Sequence, residues 1–220
     1  MNVPNTLTLL RIFFVPLLVA ALVSEDLRIE AGPLSISNHQ LALLIFLAAA
    51  FTDLLDGYLA RRWNQITTVG MLLDPVADKL LVSAALISLV YVHSVPAWMA
   101  VLIIGREFAV SGLRSIAAAE GYTIAASDLG KTKTATQVLA IALVLASRDA
   151  PQLAVWAQAA LWGTMLFALV SAADYFYKFW SRLDESIKAR RRTELLQLEK
   201  ERQKAAMRAA VAPKSKPREH

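Results

Sequence analysis

Residues 41–62 read LALLIFLAAAFTDLLDGYLARR, an apolar run that carries Asp53 and Asp56 near its end and closes on Arg61 and Arg62. About 20 mostly apolar residues in a helix cross the roughly 30 Å hydrocarbon core of a bilayer, so this stretch has the length and composition of a membrane span. A second apolar run opens at residues 70–79 as GMLLDPVADK, with Asp74 and Asp78 in its first turns. Carboxylates at membrane depth cost about 2–4 kcal/mol each on insertion scales and are rare unless they serve a function. Four of them, at the adjoining ends of two consecutive apolar runs, call for a common compensation.

The rest of the 220-residue chain fits the same solvent. Hydrophobic residues make up 56% of it and charged residues only 19%, too little polar surface to cover a water-soluble globule. Six segments are long and apolar enough to be read as spans: residues 8–24, 41–60, 70–93, 96–117, 132–147 and 152–177. The fifth is short and holds polar residues, which places it against protein rather than lipid. The first lacks a basic region before it and a small-residue cleavage site after it, so it is not read as a signal peptide. The fold class expected is therefore all-α: a polytopic membrane protein with six transmembrane helices, a cytoplasmic N-terminal segment and a C-terminal tail.

Orientation follows from lysine and arginine. Arg61, Arg62, Arg106, Arg114, Lys131, Lys133, Lys178 and Arg182 fall on one side if six helices alternate, while Arg28 and Arg148 fall on the other beside Glu25, Asp26, Glu30 and Asp149. Both termini are thus expected in the cytoplasm. Two regions follow, a transmembrane catalytic domain over 1–182 and a basic cytoplasmic tail over 183–220. The tail is helix-forming from Asp184 to Arg208 and is expected to lose order near Pro213 and Pro217. The net charge of +5 gathers at span ends and in this tail, a pattern that suits a membrane surface and not nucleic acid.

The side-chain inventory restricts the chemistry. There is no cysteine, His39 and His93 fall in predicted loops and His220 is terminal, so a metal here is expected to take oxygen ligands. On a helix, residues three or four apart share a face, which pairs Asp53 with Asp56 and Asp74 with Asp78. A hairpin through residues 62–69 lets the two pairs converge. A divalent cation relieves their repulsion, and an oxygen-only set suits magnesium, manganese or calcium rather than zinc or copper. Magnesium commonly keeps positions open for phosphates. Gly57 and Ala60 remove bulk beside the acidic face, and Arg61, one turn beyond Gly57, is placed to pair with a phosphate. Taken singly, Gly57 fits close helix packing, and Arg61 and Arg62 fit the ordinary excess of cations on one membrane side.

Read as one string, residues 53–78 are D-x2-D-G-x2-A-R-x8-G-x3-D-x3-D. This pattern resembles the signature of the CDP-alcohol phosphatidyltransferases, with every fixed position filled. The resemblance implies six transmembrane helices, a homodimer, and metal-dependent transfer of a phosphatidyl group from a CDP-linked lipid to an alcohol with release of CMP. It implies Mg2+ or Mn2+ held by Asp53, Asp56 and Asp74, with Asp78 as general base that also touches a second metal. It further implies contacts of Asp56, Gly57, Ala60 and Arg61 with the CDP group.

Other stretches resemble the branch of that family that uses glycerol 3-phosphate as acceptor, the phosphatidylglycerophosphate synthases. The opening NVPNTLTLLR over residues 2–11 is similar to that branch's N-terminal segment, which implies that Asn5 and Thr8 lie near the nucleotide. Gly105-Arg106-Glu107-Phe108, Ser111-Gly112-Leu113-Arg114 and Gly130-Lys131-Thr132-Lys133-Thr134 are its further marks. An acceptor that carries its own phosphate needs a second set of cations. Arg106 and Arg114 lie close to two helical turns apart, a spacing read as one face, and Lys131 and Lys133 open the next helix from the same membrane side.

The expected partners are CDP-diacylglycerol, glycerol 3-phosphate, membrane lipids and a second copy of the chain. The expected location is a bacterial inner membrane with the active site facing the cytoplasm. Inositol 1-phosphate, phosphatidylglycerol and serine remain open as other acceptors on the same scaffold. A membrane prenyltransferase needs two acidic motifs far apart in sequence. A divalent cation transporter needs carboxylates spread through the bilayer depth.

Overall fold

The computed structural model describes the backbone of residues 3–24, 29–31, 34–63, 68–120 and 129–211. Among these residues are six α-helices: α1 (Val3–Val23), α2 (Asn38–Trp63), α3 (Thr68–Tyr91), α4 (Ala97–Ala119), α5 (Leu129–Ser147) and α6 (Ala154–Val211). Each corresponds to one of the apolar segments expected from the sequence. Helices α1, α2 and α6 contain stretches long and apolar enough to cross a membrane, Thr6–Val23, Asn38–Leu55 and Pro151–Asp184, the last beginning in the 3₁₀ turn Pro151–Leu153. Helix α5 holds a shorter apolar stretch, Thr134–Ser147. Helices α3 and α4 have comparable length, 24 and 23 residues, but carry Asp74, Asp78 and Lys79, and Arg106, Glu107 and Arg114. The chain is a helical membrane protein.

Residues Met1–Asp174 form one compact unit. Helix α1 packs along both α2 and α3, while α4 lies on α3 and α5 on α2. The core contains Leu18 and Leu22 of α1, Phe46 of α2, Leu86 and Leu89 of α3, Met99 and Ile103 of α4, and Ile141 and Leu145 of α5. Small side chains at Ala21, Ala42, Ala49 and Ala85 are fully or almost fully buried among them. Between apolar helices in lipid, such residues permit the close backbone approach on which packing depends. Facing outward are Phe13, Phe51, Leu54, Ile87, Val101 and Trp156, all more than half exposed, a surface that suits lipid.

The far ends of the helices are stitched by polar groups. Ser37 and Gln40 form a reciprocal cap at the start of α2: Gln40 N–H donates to Ser37 Oγ at 3.1 Å and Ser37 N–H to Gln40 Oε1 at 3.3 Å. Ser37 Oγ donates in turn to Asp149 Oδ2 at 2.8 Å, beyond the end of α5, and Asn38 Nδ2 donates to Ser24 O at 2.9 Å, beyond the end of α1. These contacts make α2 antiparallel to both α1 and α5. At the end of α3, Ser94 N–H reaches Leu89 O and His93 N–H reaches Val90 O, the pairing of a Schellman cap, with His93 at φ 55° where glycine is usual.

Two features go beyond the sequence reading. Between α1 and α2 lies a short antiparallel ribbon, β1 (Ile29–Ala31) and β2 (Leu34–Ile36), pairing Ile29 with Ile36 and Ala31 with Leu34. The helix expected over 184–208 is present as the unbroken continuation of α6, which is 58 residues long. Residues Tyr175–His220 form a second unit, with Leu195, Leu196 and Leu198 exposed along its helix. The loss of order expected near Pro213 and Pro217 concerns residues outside those described.

Candidate active site

Three of the four aspartates meet on α1. Thr8 and Arg11, one helical turn apart, are both buried, and Arg11 is fully enclosed. Thr8 Oγ1 donates to Asp74 Oδ1 at 2.5 Å. Arg11 Nη1 lies 2.8 Å from Asp53 Oδ1 and 2.8 Å from Asp78 Oδ1. One nitrogen thus ties the C-terminal part of α2 to the N-terminal part of α3 through α1. The Asp53 and Asp78 side chains remain 29% and 43% exposed, so each is partly open to the outside while anchored from within. Thr52 turns its hydroxyl back to Ala49 O at 2.7 Å, out of competition for the carboxylate beside it.

Part of the compensation that clustered carboxylates require therefore comes from within the chain. In the sequence Arg11 stands only as the last residue of the NVPNTLTLLR segment. The sequence signal for it is a lone cation followed directly by twelve uninterrupted apolar or proline positions, residues 12–23, in a span otherwise without charge. Pro75 follows Asp74 directly and has no N–H to return to the carbonyl of Met71, so α3 lacks one helical bond where the acids sit.

A divalent cation fits the chemistry of this donor set. The groups placed together are carboxylate and hydroxyl oxygens, the hard donors such an ion takes. Among the described residues no three acidic or imidazole groups close on a point suited to a metal. The Asp56 side chain, expected as a ligand, lies outside the described residues, as do the side chains of Asn5, Ala60 and Arg61 and the surroundings of Gly57. Nearby on α2, Arg62 Nη1 donates to Tyr58 Oη at 3.0 Å, both exposed.

The cations expected to take an acceptor phosphate are placed differently from one another. Arg106 is buried on α4, with Nη1 3.2 Å from Glu107 Oε1 and Nη2 donating to Ser171 Oγ of α6. Arg114 is exposed. Eight residues of helix separate them by about 12 Å along the axis and about 80° around it, which accounts for the difference. The side chains of Lys131 and Lys133, at the start of α5, lie outside the described residues. Near them, Thr164 of α6 donates to Thr136 O at 3.3 Å.

The family model for CDP-alcohol phosphatidyltransferase matches residues 1–170, which contain the aspartates, Arg11 and Arg106. The chain belongs to the CDP-alcohol phosphatidyltransferase family. Among its curated relatives is a Bacillus subtilis (strain 168) protein named CDP-diacylglycerol–glycerol-3-phosphate 3-phosphatidyltransferase. It is 44% identical over 190 residues, covering 84% of this chain and 98% of the relative. A Rickettsia bellii (strain RML369-C) protein of the same name is 36% identical over 178 residues, covering 80% and 93%. A protein of Oryza sativa subsp. japonica named cardiolipin synthase (CMP-forming) is 40% identical over 166 residues, 68% of this chain and 47% of that one. Within this CDP-alcohol phosphatidyltransferase, the family match ends at residue 170, ahead of the second unit.

Proposed function

We propose that this chain transfers the phosphatidyl group of CDP-diacylglycerol to sn-glycerol 3-phosphate, giving phosphatidylglycerophosphate and CMP. The observation that carries this reading is the meeting of Asp53, Asp74 and Asp78 at Thr8 and Arg11 in a member of this family. The names of its relatives in Bacillus subtilis and Rickettsia bellii support glycerol 3-phosphate as acceptor.

In this reading Asp78 accepts the proton of the acceptor hydroxyl. The hydroxyl oxygen forms a bond to the phosphorus that bears the diacylglycerol, and the bond from that phosphorus to the bridging oxygen breaks. CMP leaves with the bridging oxygen and the electron pair. Arg11 holds Asp78 in one orientation through the hydroxyl's approach, and the exposed part of the carboxylate is the part that receives the proton. Asp53, Asp56 and Asp74, with Asp78 at a second position, would hold Mg2+ or Mn2+. The bound metal would neutralise the diphosphate and stabilise the departing CMP. Asn5, Thr8, Asp56, Gly57, Ala60 and Arg61 bind the CDP-lipid, and Arg106, Arg114, Lys131 and Lys133 bind the acceptor phosphate.

The same reading takes all six helices as spans with both termini in the cytoplasm, a homodimer in a bacterial inner membrane, and the active site at the cytoplasmic face. Residues 1–182 form the catalytic domain and 183–220 a basic tail. The 40% identity to a rice protein named cardiolipin synthase favours phosphatidylglycerol as the second acceptor to consider. The test is CMP release from CDP-diacylglycerol with Mg2+ or Mn2+, offering glycerol 3-phosphate, inositol 1-phosphate, serine and phosphatidylglycerol separately. Release with glycerol 3-phosphate alone is expected. Release with phosphatidylglycerol or serine alone overturns the acceptor.

A further inference from the structure

Arg106 is held unlike an ordinary cation at a membrane surface. Its side chain is 6% exposed, its Nη1 pairs with Glu107 and its Nη2 with Ser171, while its buried Nε has no hydrogen-bond partner among the described residues. A buried guanidinium N–H without an acceptor costs about 1–3 kcal/mol or more, and an anionic oxygen removes that cost. Ser171 is itself buried, on a helix distant in sequence from Arg106. Its hydroxyl accepts from the guanidinium and so fixes the plane in which the unpartnered Nε–H points.

We propose that Ser171 of α6 is a positioning residue for the acceptor: it fixes the Arg106 guanidinium so that its free Nε–H meets an oxygen of the acceptor's phosphate. This rests on the reading of the chain as a transferase that uses a phosphate-bearing alcohol. Glu107 alone leaves the guanidinium free to turn about its single contact, since a carboxylate on the adjacent residue restrains one end only. The hydroxyl on α6 supplies the second point. An acceptor without a phosphate gains nothing from this arrangement, so Ser171 acts on acceptor choice rather than on the transfer step. The same face of α6 carries Thr164, seven residues earlier, whose hydroxyl donates to the Thr136 backbone carbonyl of α5. Thr164 is therefore a control for general loosening of α6.

The test uses the full-length protein in detergent micelles with CDP-diacylglycerol and varied glycerol 3-phosphate. Ser171→Ala is expected to raise KM for glycerol 3-phosphate about tenfold, the value of one hydrogen bond to a charged group. Its kcat and its KM for CDP-diacylglycerol stay within twofold, Ser171→Thr restores the parent KM, and Thr164→Val leaves the acceptor KM unchanged. An unchanged acceptor KM in Ser171→Ala, with lowered thermal stability, reduces Ser171 to a packing contact and overturns the proposal. So does a rise in KM shared by Thr164→Val. Absence of glycerol 3-phosphate-dependent CMP release in the parent protein is a separate result, which overturns the assigned reaction itself.

Discussion

Arg11 and Asp78 are joined by a 2.8 Å contact between a guanidinium sealed inside the helices and an aspartate side chain left nearly half exposed. The same nitrogen reaches Asp53, so the fixed cation of α1 decides how the acids of α2 and α3 stand relative to each other. Removal of one partner from such a network leaves charge without compensation. Arg11→Gln is expected to lower stability by about 2–4 kcal/mol, the lower end reflecting the part-exposed carboxylates. Arg11→Lys keeps the charge but offers a single ammonium on a flexible stem. It should unfold less readily than Arg11→Gln and still lose at least tenfold in CMP release. Thermal unfolding in detergent, read beside turnover, checks both; parent-like activity in Arg11→Gln would remove the role assigned to this contact.

Thr8 offers a milder perturbation of the same centre. Thr8→Val preserves shape and removes the donor to Asp74 Oδ1, so a cost of about 1–3 kcal/mol from the lost charge-assisted bond is expected, with turnover lowered several-fold. Thr8→Ser should retain most of both. Equal behaviour of the valine and serine variants would show that the hydroxyl is irrelevant.

The aspartates are expected to separate by role. Asp78→Asn should bind CDP-diacylglycerol normally and lose turnover, because the amide cannot take a proton from the acceptor. Asp53→Asn should weaken metal-dependent binding of the nucleotide lipid. Chelation with EDTA should abolish CMP release in the parent, with Mg2+ or Mn2+ restoring it. Full activity in Asp78→Asn, or in metal-free protein, contradicts these assignments.

Far from the acids, His93 occupies the left-handed position that closes α3. A side chain there crowds the following carbonyl, and glycine does not. His93→Gly is expected to stabilise the protein by about 0.5–1 kcal/mol without change in kcat. A lower midpoint of thermal unfolding would mean that the imidazole makes a contact worth more than the strain.

At the start of α2, Ser37 is both helix cap and donor to Asp149. Ser37→Ala removes both and should cost about 1–2 kcal/mol. An unchanged midpoint would show that Gln40 and water replace it.

The helical membrane class, the six apolar segments and the placement of four acids at two adjoining helix ends were legible in the chain, because span length and the cost of buried charge are local properties. So was the family, through the spaced pattern of residues 53–78. Which group faces those acids was not. Arg11 precedes Asp53 and Asp78 by forty-two and sixty-seven residues, and only the packing of α1 against both α2 and α3 brings one nitrogen to both carboxylates. In the same way Arg106 and Arg114 look alike in the sequence, eight residues apart on one helix. The turn of that helix and the approach of α6 bury one against Ser171 and leave the other exposed. Composition and spacing determined that this protein gathers acids within a membrane fold; the packing between distant helices decided which cation holds them, since a buried charge takes its partner from whatever element the fold sets beside it.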